Sequence, residues 1–527
     1  QIPLLSRLGS RHWKQTLRRL RESTAREARE LYELYRKRLE MPGISHLPDT
    51  DWQTALEESF GYPETPDQRT ALAEIKRDME SPRVMDRIVI GDVGFGKTEI
   101  AVRAAFKAVM SGTQVAVLAP TTALTYQHYQ VFRKRMAEFP VEIALMSRFR
   151  TAAENRAVAR GLADGSIDIV IGTHRVLAND VTFKRLGLLI VDEEQRFGVY
   201  HKEKLKLKYP EVDVLTLSAT PIPRTLYQTL IHIKGISYVR TPPEGRRPVI
   251  TRVGPYSEAA ARRAIQAELD RGGQVFYLYN RVQGLEERAE RIEEWFPSAP
   301  VAIAHGRLKP RLLEKTIRDF LSGATRILVS TTLIENGVDI PGADTLIVED
   351  AERYGLSELH QLRGRIGRSA RQAYAYFFFS PEKPLGTGAR ERLKAIMRYS
   401  YLGAGFELSY RDLELRGAGE LLGRRQHGFA AQVGLVMYAR SLGNALAPLV
   451  GKKVPRRAEI EIPADGFIPS DYIPLEEERA RVYDRILYAE ATENLERVAR
   501  VLEQTYGRLP LPVKVLLDLA YIRKLAE

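Results

Sequence analysis

Arg87-Ile88-Val89-Ile90-Gly91-Asp92-Val93-Gly94-Phe95-Gly96-Lys97-Thr98 is the stretch on which the reading of this chain turns. A short apolar run enters a full match to G-x-x-x-x-G-K-[ST], and a helix-like segment, 98–110, leaves it. Strand, glycine loop and helix are the context the motif requires. Glycines let successive backbone N–H groups curl around a phosphate, and the helix N-terminus adds partial positive charge. Gly91, Gly94 and Gly96 shape that cradle. Lys97 is placed to bridge the β- and γ-phosphates of a nucleoside triphosphate, and Thr98 to hold Mg²⁺. A chance glycine-rich turn does not account for the flanking strand and helix.

Outward from this loop the pattern alternates. Apolar runs at 87–90, 114–118, 168–171, 188–191 and 214–217 read as buried strands separated by helix-like segments such as 98–110 and 123–138. This predicts a parallel sheet with helices on both faces. Thr241-Pro242-Pro243-Glu244-Gly245-Arg246-Arg247-Pro248 reads as a linker. The alternation restarts with strand candidates at 274–279, 301–304, 327–330 and 345–348, giving two α/β domains in tandem. Residues 11–40 read as one long helix whose stripe, Leu17, Leu20, Thr24, Ala28, Leu31 and Tyr35, docks on the body. Arg18, Arg19, Arg21, Arg26 and Arg29 lie on its basic side, and Met41-Pro42-Gly43 ends it. The stretch 386–428 is Gly- and Arg-rich and less regular, and 470–527 looks helical. The expected divisions are 1–45, 46–243, 244–428 and 429–527.

Val191-Asp192-Glu193-Glu194 closes another apolar run. Carboxyl ends of strands face the ligand crevice in a doubly wound sheet. Asp192 can hold the water shell of Mg²⁺, and Glu193 can orient and deprotonate an attacking water. The competing reading is a solvated acidic turn.

The 527 residues suggest about three to four domains at roughly 150 residues each. A hydrophobic fraction of 44% fills real cores and excludes wholesale disorder. The absence of cysteine removes disulfides, thiolate zinc sites and cysteine nucleophiles together, and fits a cytoplasmic protein. No apolar run of about 18 residues occurs, so no transmembrane helix and no membrane partner is expected. Gln1-Ile2-Pro3 lacks the features of a signal peptide and an initiator Met, which suggests an excised fragment. Lys+Arg 80 against Asp+Glu 67, a net charge of +13, favours a polyanionic partner, against the plainer reading of a solvated basic surface.

Asp192-Glu193-Glu194-Gln195 resembles the DExx box of superfamily 2 helicases and translocases, and further matches follow in that family's order. Phe60 with Thr65-Pro66-Asp67-Gln68 resembles the adenine-reading Gln motif, with Gln68 as reader. Pro120-Thr121-Thr122-Ala123-Leu124 and Gly172-Thr173-His174 resemble motifs that grip a strand's backbone. Leu217-Ser218-Ala219-Thr220-Pro221 resembles the element coupling hydrolysis to domain motion, with Ser218 and Thr220. Residues 330–341 resemble the second-domain motif facing both ATP and DNA; the resemblance gives Thr331 and Thr332 to DNA, and Gly337 and Asp339 to ATP. Gln361-Leu362-Arg363-Gly364-Arg365-Ile366-Gly367-Arg368 resembles the last motif, with Gln361 at the catalytic site and Arg365 and Arg368 reaching the γ-phosphate. The resemblance covers about 60–370 and implies two RecA-like domains, ATP and Mg²⁺. An arginine supplied from the second domain stabilises transition-state charge only when the domains close, so ATP binding and release open and close a cleft. Two strand-gripping surfaces then move relative to each other, as in a stepping motor. The competing reading of Arg363, Arg365 and Arg368 is a merely basic turn.

Residues 403–408, 411–423 and 426–428 resemble the translocation element shared by RecG fork-remodelling helicases and transcription-repair coupling factors. For Arg416 and Gln426 the resemblance implies a part in converting domain closure into DNA movement. Met85-Asp86-Arg87, Ser147-Arg148-Phe149-Arg150, Arg196-Phe197-Gly198-Val199 and the 11–40 helix favour the coupling factors, with Arg148 at DNA or in coupling. Gln195 departs from their usual His. The resemblance implies double-stranded DNA as track, RNA polymerase as partner with its binding module reduced to the stub 1–10, and a nucleotide-excision-repair damage-recognition protein as partner of the full-length protein. It also implies that 470–527 begins an autoinhibitory domain. The alternatives are a RecG-like helicase and a non-enzymatic nucleotide- or polymerase-binding scaffold. The intact set Lys97, Thr98, Asp192, Glu193, Arg365 and Arg368 argues against the scaffold. His174 has no motif partner for a metal. Trp13, Trp52 and Trp295 read as core or docking residues, while Tyr399 and Tyr401 sit beside the Gly-rich element.

Overall fold

Strands buried on both faces read as near-continuous apolar runs rather than as alternation. β2 (Gln114–Leu118), β4 (Ile169–Gly172) and β6 (Asp213–Ser218) are buried along their whole lengths. The computed structural model of the chain describes residues 41–147, 150–193, 209–219, 235–331, 342–367, 371–382, 384–405, 466–469, 471–473 and 492–525, with isolated residues between 18 and 29, at 407, 408 and 412, and within 441–449 and 479–486.

The first sheet adds β1 (Asp86–Gly91), β3 (Ile143–Met146), β5 (Leu186–Asp192) and β7 (Gly235–Val239). All seven strands are parallel, in the order β3-β4-β2-β5-β6-β1-β7. The second sheet contains β8 (Ile250–Pro255), β9 (Gln274–Leu278), β10 (Val301–Ala304), β11 (Ile327–Ser330), β12 (Ala343–Val348) and β13 (Tyr374–Phe379). It is also wholly parallel, in the order β10-β11-β9-β12-β13-β8. The chain passes from one sheet to the other between Val239 and Ile250, through the Pro/Gly/Arg stretch 241–248. The expected pair of tandem doubly wound domains is what the chain forms.

Helices cover both faces. In the first domain α1 (Asp51–Glu58), α2 (Pro66–Glu80), α3 (Lys97–Met110), α4 (Thr122–Arg135) and α5 (Ala152–Asp164) surround the sheet. Val89, Val117, Ile190 and Leu215 pack with Val102, Ala105 and Phe106 of α3. Ala116, Leu189 and Val214 point into a second cluster with Leu162 of α5. The second domain has α6 (Glu258–Asp270), α7 (Leu285–Trp295), α8 (Pro310–Leu321), α9 (Leu356–Arg363) and α10 (Thr387–Arg398). Its strands divide likewise, Phe276 and Leu346 into one core and Val275 and Ile347 into the other.

Residues 1–450 form one compact unit and 451–527 another. Within the second unit, α11 (Thr492–Tyr506) and α12 (Leu511–Leu525) close on Ile468, Ile473, Leu495, Leu502 and Val513. Of the long helix expected over 11–40, residues 22–26 are helical. Thr24 is buried and hydrogen-bonded to Ser441 at 2.8 Å, whereas Arg18, Arg26 and Arg29 are exposed. Among the described residues no helix is long and apolar enough to cross a membrane.

One polar contact sets the start of β1. Asp213 is buried at the base of β6 and accepts the Met85 N–H at 2.7 Å, with His46 Nε2 at 3.3 Å. Asp213→Ala leaves that amide and imidazole buried without the carboxylate. It should destabilise the first domain by about 1–3 kcal/mol in denaturant unfolding. An unchanged midpoint would contradict this role.

Candidate nucleotide site

The parallel register decides which side chains meet. Leu217 of β6 lies opposite Val89 of β1 on one side and Asp192 of β5 on the other. The glycine loop after β1 and the acidic pair after β5 therefore leave the same edge of the sheet, two strand spacings or about 10 Å apart. Gly94 and Gly96 adopt φ of 78° and 81°, conformations costly for residues with a Cβ. At Gly96 a Cβ would also meet Gln68 Nε2 at 2.3 Å. Lys97 opens α3, and its Nζ donates to the carbonyls of Gly91 at 2.7 Å and Asp92 at 2.9 Å. The ammonium is thus held at the loop itself.

Gln68 is fixed by its own helix. Thr65 caps α2, with the Gln68 side chain accepting the Thr65 N–H at 2.9 Å in a capping box. The same carboxamide donates to the Phe95 carbonyl at 2.8 Å, joining α2 to the glycine loop.

Asp192 and Glu193 are pinned by their surroundings. Asp192 Oδ2 lies 2.9 Å from His128 Nε2 of α4, and Oδ1 accepts the Glu193 N–H at 2.9 Å. Burial opposes ionisation of Asp192. His128, the charge of Lys97 and the Glu193 amide outweigh it and hold the carboxyl below its ordinary value. Glu193 is buried, has φ of 51°, and donates its N–H to the Leu217 carbonyl at 3.1 Å. A non-glycine residue in the left-handed region, held there by a bond to the neighbouring strand, is the type of strain that clusters at functional sites. Among the described residues no group of three or more His, Cys, Asp or Glu could hold a metal ion. An ionised Asp192 with Thr98 at the start of α3 suits Mg²⁺, which binds through one or two protein oxygens, waters and phosphates rather than an all-protein cage.

The second domain reaches this loop directly. His360 Nε2 of α9 lies 2.8 Å from Asp92 Oδ1, and the Gly405 N–H donates to Asp92 Oδ2 at 3.3 Å. Arg363 Nη2 lies 3.1 Å from His360 Nδ1. A guanidinium can only donate, so Nδ1 accepts and Nε2–H faces Asp92. Burial favours the neutral form of Asp92. The His360 ring, the Val93 amide and Lys97 prevail and hold it far below the carboxylate range. Arg363 is buried, and burial pushes its guanidinium down to about 10 against the pull of Asp92. It also donates to the carbonyls of Ile396 at 2.8 Å and Tyr399 at 2.7 Å. Gly364 packs on Val93, where a Cβ would come within 2.7 Å. Arg246, from the linker, donates to the Val93 carbonyl and lies 5.6 Å from the Phe95 ring centroid.

The structure brings together Gln68, Gly91, Gly94, Gly96, Lys97, Thr98, Asp192, Glu193 and Ser218 at one edge of the first sheet. Gln361 and Arg365 are buried in and just beyond α9, whose His360 is on the loop. Thr121 and Thr122 follow β2, and Thr173 and His174 follow β4, farther along the same edge. Thr121 accepts the Leu124 N–H at 3.3 Å, capping α4; Thr173 is buried and His174 exposed. Thr331 is buried after β11. Arg148, Gln195, Thr220, Thr332, Gly337, Asp339, Arg368, Arg416 and Gln426 lie outside the described residues. No local motif in the sequence marks His128, His360 or Arg246. His360 adjoins a recognised motif and Arg246 lies in the recognised linker, and those positions were the available signals.

Comparison with known proteins agrees with this geometry. A DEAD/DEAH box helicase model matches residues 65–229, a helicase conserved C-terminal domain model 259–370, and a TRCF domain model 462–527. A transcription-repair-coupling factor of Mycobacterium tuberculosis is 49% identical over 540 residues, covering all of this chain and 44% of that protein. One from Staphylococcus epidermidis is 48% identical over 525 residues, covering 99% of this chain and 45% of that protein. The solved structure of RecG bound to a three-way DNA junction is similar with a TM-score of 0.65 and 32% identity, covering 81% of this chain and 57% of that chain. The helicase Mss116 bound to single-stranded RNA shares the fold alone, with a TM-score of 0.52 and 14% identity over 76% of this chain and 90% of that one.

The two sheets, the phosphate loop, the acidic pair and the two helicase models define a two-domain, nucleotide-binding protein of the superfamily 2 helicase class. Within that class the chain belongs to the transcription-repair-coupling factor family, and it spans less than half the length of the curated relatives it matches.

Asp92 and His360 should be energetically coupled. In a double-mutant cycle of Asp92→Ala and His360→Ala, thermal unfolding should show a coupling energy of about 1–3 kcal/mol. Additive effects would mean that the contact does not join the domains.

Proposed function

We propose that the chain is an ATP-driven translocase on double-stranded DNA. In its full-length form it moves along DNA to displace stalled RNA polymerase and helps recruit the damage-recognition protein of nucleotide excision repair. The observation that carries this reading is the seating of His360 and Gly364 on the phosphate loop: the second domain touches the element that binds nucleotide. The relatives' name, transcription-repair-coupling factor, supports the biological setting.

Lys97 neutralises the β- and γ-phosphates of ATP, and Gln68 reads the adenine. Thr98 and Asp192 hold Mg²⁺, which supplies Lewis-acid neutralisation of the phosphate charge. Glu193 orients water and accepts its proton. Gln361, Arg365 and Arg368 enter from the second domain as charge builds on the γ-phosphate, with Gly337 and Asp339 closing the same cleft. Thr121, Thr122, Arg148, Thr173 and His174 on one domain, and Thr331 and Thr332 on the other, grip the DNA backbone. Ser218, Thr220, Arg416 and Gln426 transmit closure to that grip. Grip by phosphate contact makes binding indifferent to sequence and steeply dependent on salt. The likeness to RecG favours a second reading, a fork-remodelling helicase. Residues 1–45, 46–243, 244–428 and 429–527 serve as relay helix, first motor domain, second motor domain with translocation element, and connector with C-terminal domain. A cytoplasmic setting follows from this role.

Duplex DNA should stimulate ATP hydrolysis without strand separation. Stimulation that requires a fork, with unwinding, would favour the RecG-like reading, and no hydrolysis would favour a scaffold. Lys97→Ala and Glu193→Gln should each reduce turnover by about 100-fold or more. Glu193→Gln should still bind ATP. Substantial turnover in either variant would overturn the site assignment.

A further inference from the structure

The glycine loop treats its peptide groups in two ways. Two N–H groups are satisfied within the loop: Val93 donates to Asp92 Oδ1 at 2.7 Å, and Phe95 to the Asp92 carbonyl at 3.2 Å. Among the described residues nothing accepts the N–H of Gly94 or of Gly96. The carbonyls that share a peptide unit with those two N–H groups are both held from outside the loop. Val93 accepts from Arg246 of the linker, and Phe95 accepts from Gln68 of α2 at 2.8 Å. A trans peptide unit is planar, and its C=O and N–H point in opposite directions. A donor that fixes the Val93 carbonyl therefore aims the Gly94 N–H away from the linker. Gln68 does the same for the Gly96 N–H.

Arg246 is half-buried and closely seated. Its guanidinium lies against Gly94, where a Cβ would come within 2.6 Å of Nη1, and its Cζ is 5.6 Å from the centroid of the buried Phe95 ring. Glycine at 94 thus admits the arginine as well as the left-handed backbone. The start of the linker is tied down too. Asp67 Oδ2, next to Gln68, accepts the Arg240 N–H at 2.8 Å, the Thr241 N–H at 2.7 Å and the Thr241 hydroxyl at 2.9 Å. The stretch from 240 to 246 therefore runs between two fixed points, the first turn of α2 and the glycine loop. A planar guanidinium with several donors, packed on a ring and on a glycine, keeps one orientation.

We propose that Arg246 is a positioning residue of the nucleotide site: by holding the Val93 carbonyl it keeps the Gly94 N–H directed at the phosphates. The linker between the two sheets is then part of the phosphate cradle, and phosphate affinity depends on how the linker is seated. The inference rests on the nucleotide-site reading above and adds to it a residue from outside the recognised motifs.

The test is equilibrium titration of the full chain with a fluorescent ADP, competed by unlabelled ADP or adenosine, beside steady-state ATP hydrolysis at saturating duplex DNA. For Arg246→Ala the Kd of ADP and the KM of ATP should each rise about tenfold. The Kd of adenosine, which carries no phosphate, should not change. The kcat should stay within about twofold, because the N–H is met in ground and transition states alike. Arg246→Lys keeps a donor for the Val93 carbonyl without the planar fork and should give an intermediate shift. It also serves if the alanine variant fails to fold, as thermal unfolding would reveal. A folded Arg246 variant with unaltered Kd for ADP shows that the arginine merely docks the linker and overturns the proposal. So does a loss shared equally by adenosine, or a fall in kcat at constant KM. Absence of nucleotide binding by the unmodified chain would instead sink the nucleotide-site reading.

Discussion

Asp92 is a buried carboxylate inside the phosphate loop, and its partners come from both α/β domains. Its own loop supplies the Val93 amide at 2.7 Å; the second domain supplies His360 at 2.8 Å and the Gly405 amide at 3.3 Å. A buried charge must be paired, so the loop cannot change its surroundings there without changing what the second domain touches. Arg363 strengthens the link by fixing the His360 tautomer while donating to two carbonyls of the 396–399 segment. The Lys97 ammonium, which donates to the Asp92 carbonyl at 2.9 Å, therefore lies within a few ångströms of the contact between the domains.

The rest of the site follows from the parallel sheet. Parallel strands all present their carboxyl ends at one edge, so the glycine loop, the acidic pair, Ser218 and the two threonine-bearing loops are gathered without further instruction. Strain is concentrated at Glu193, whose left-handed conformation is held by a backbone bond to β6. α3, which Lys97 and Thr98 open, starts directly from the glycine loop.

Much of this was legible in the sequence, for a physical reason. Strands buried on both faces are near-continuously apolar, so β1, β2, β4, β5, β6, β9, β11 and β12 stand out, as does β10, an edge strand of wholly apolar sequence, and the loop motif fixes which edge matters. The strands that escaped notice were β3, β7, β8 and β13. β3, β7 and β8 are edge strands, and β8 is largely exposed. Edges carry mixed composition, as in Gly235-Ile236-Ser237-Tyr238-Val239. β13, Tyr374-Ala375-Tyr376-Phe377-Phe378-Phe379, is mostly aromatic and only partly buried. Residues of local motifs were found because their spacing is local. His128, His360 and Arg246 were not, because they act across separations of 64, 268 and 153 residues. Arg363, which could have been part of a solvated basic turn, is instead a buried anchor.

The central claim is that nucleotide binding and domain contact share Asp92, and it can be measured as a distance. The chain has no cysteine, so single cysteines at Arg156 on α5 and Glu286 on α7, both exposed, accept spin labels cleanly. Double electron–electron resonance should show one distance distribution for the unliganded chain, shifted by a non-hydrolysable ATP analogue. Asp92→Ala should broaden the unliganded distribution. Identical distributions in all three samples would contradict the account.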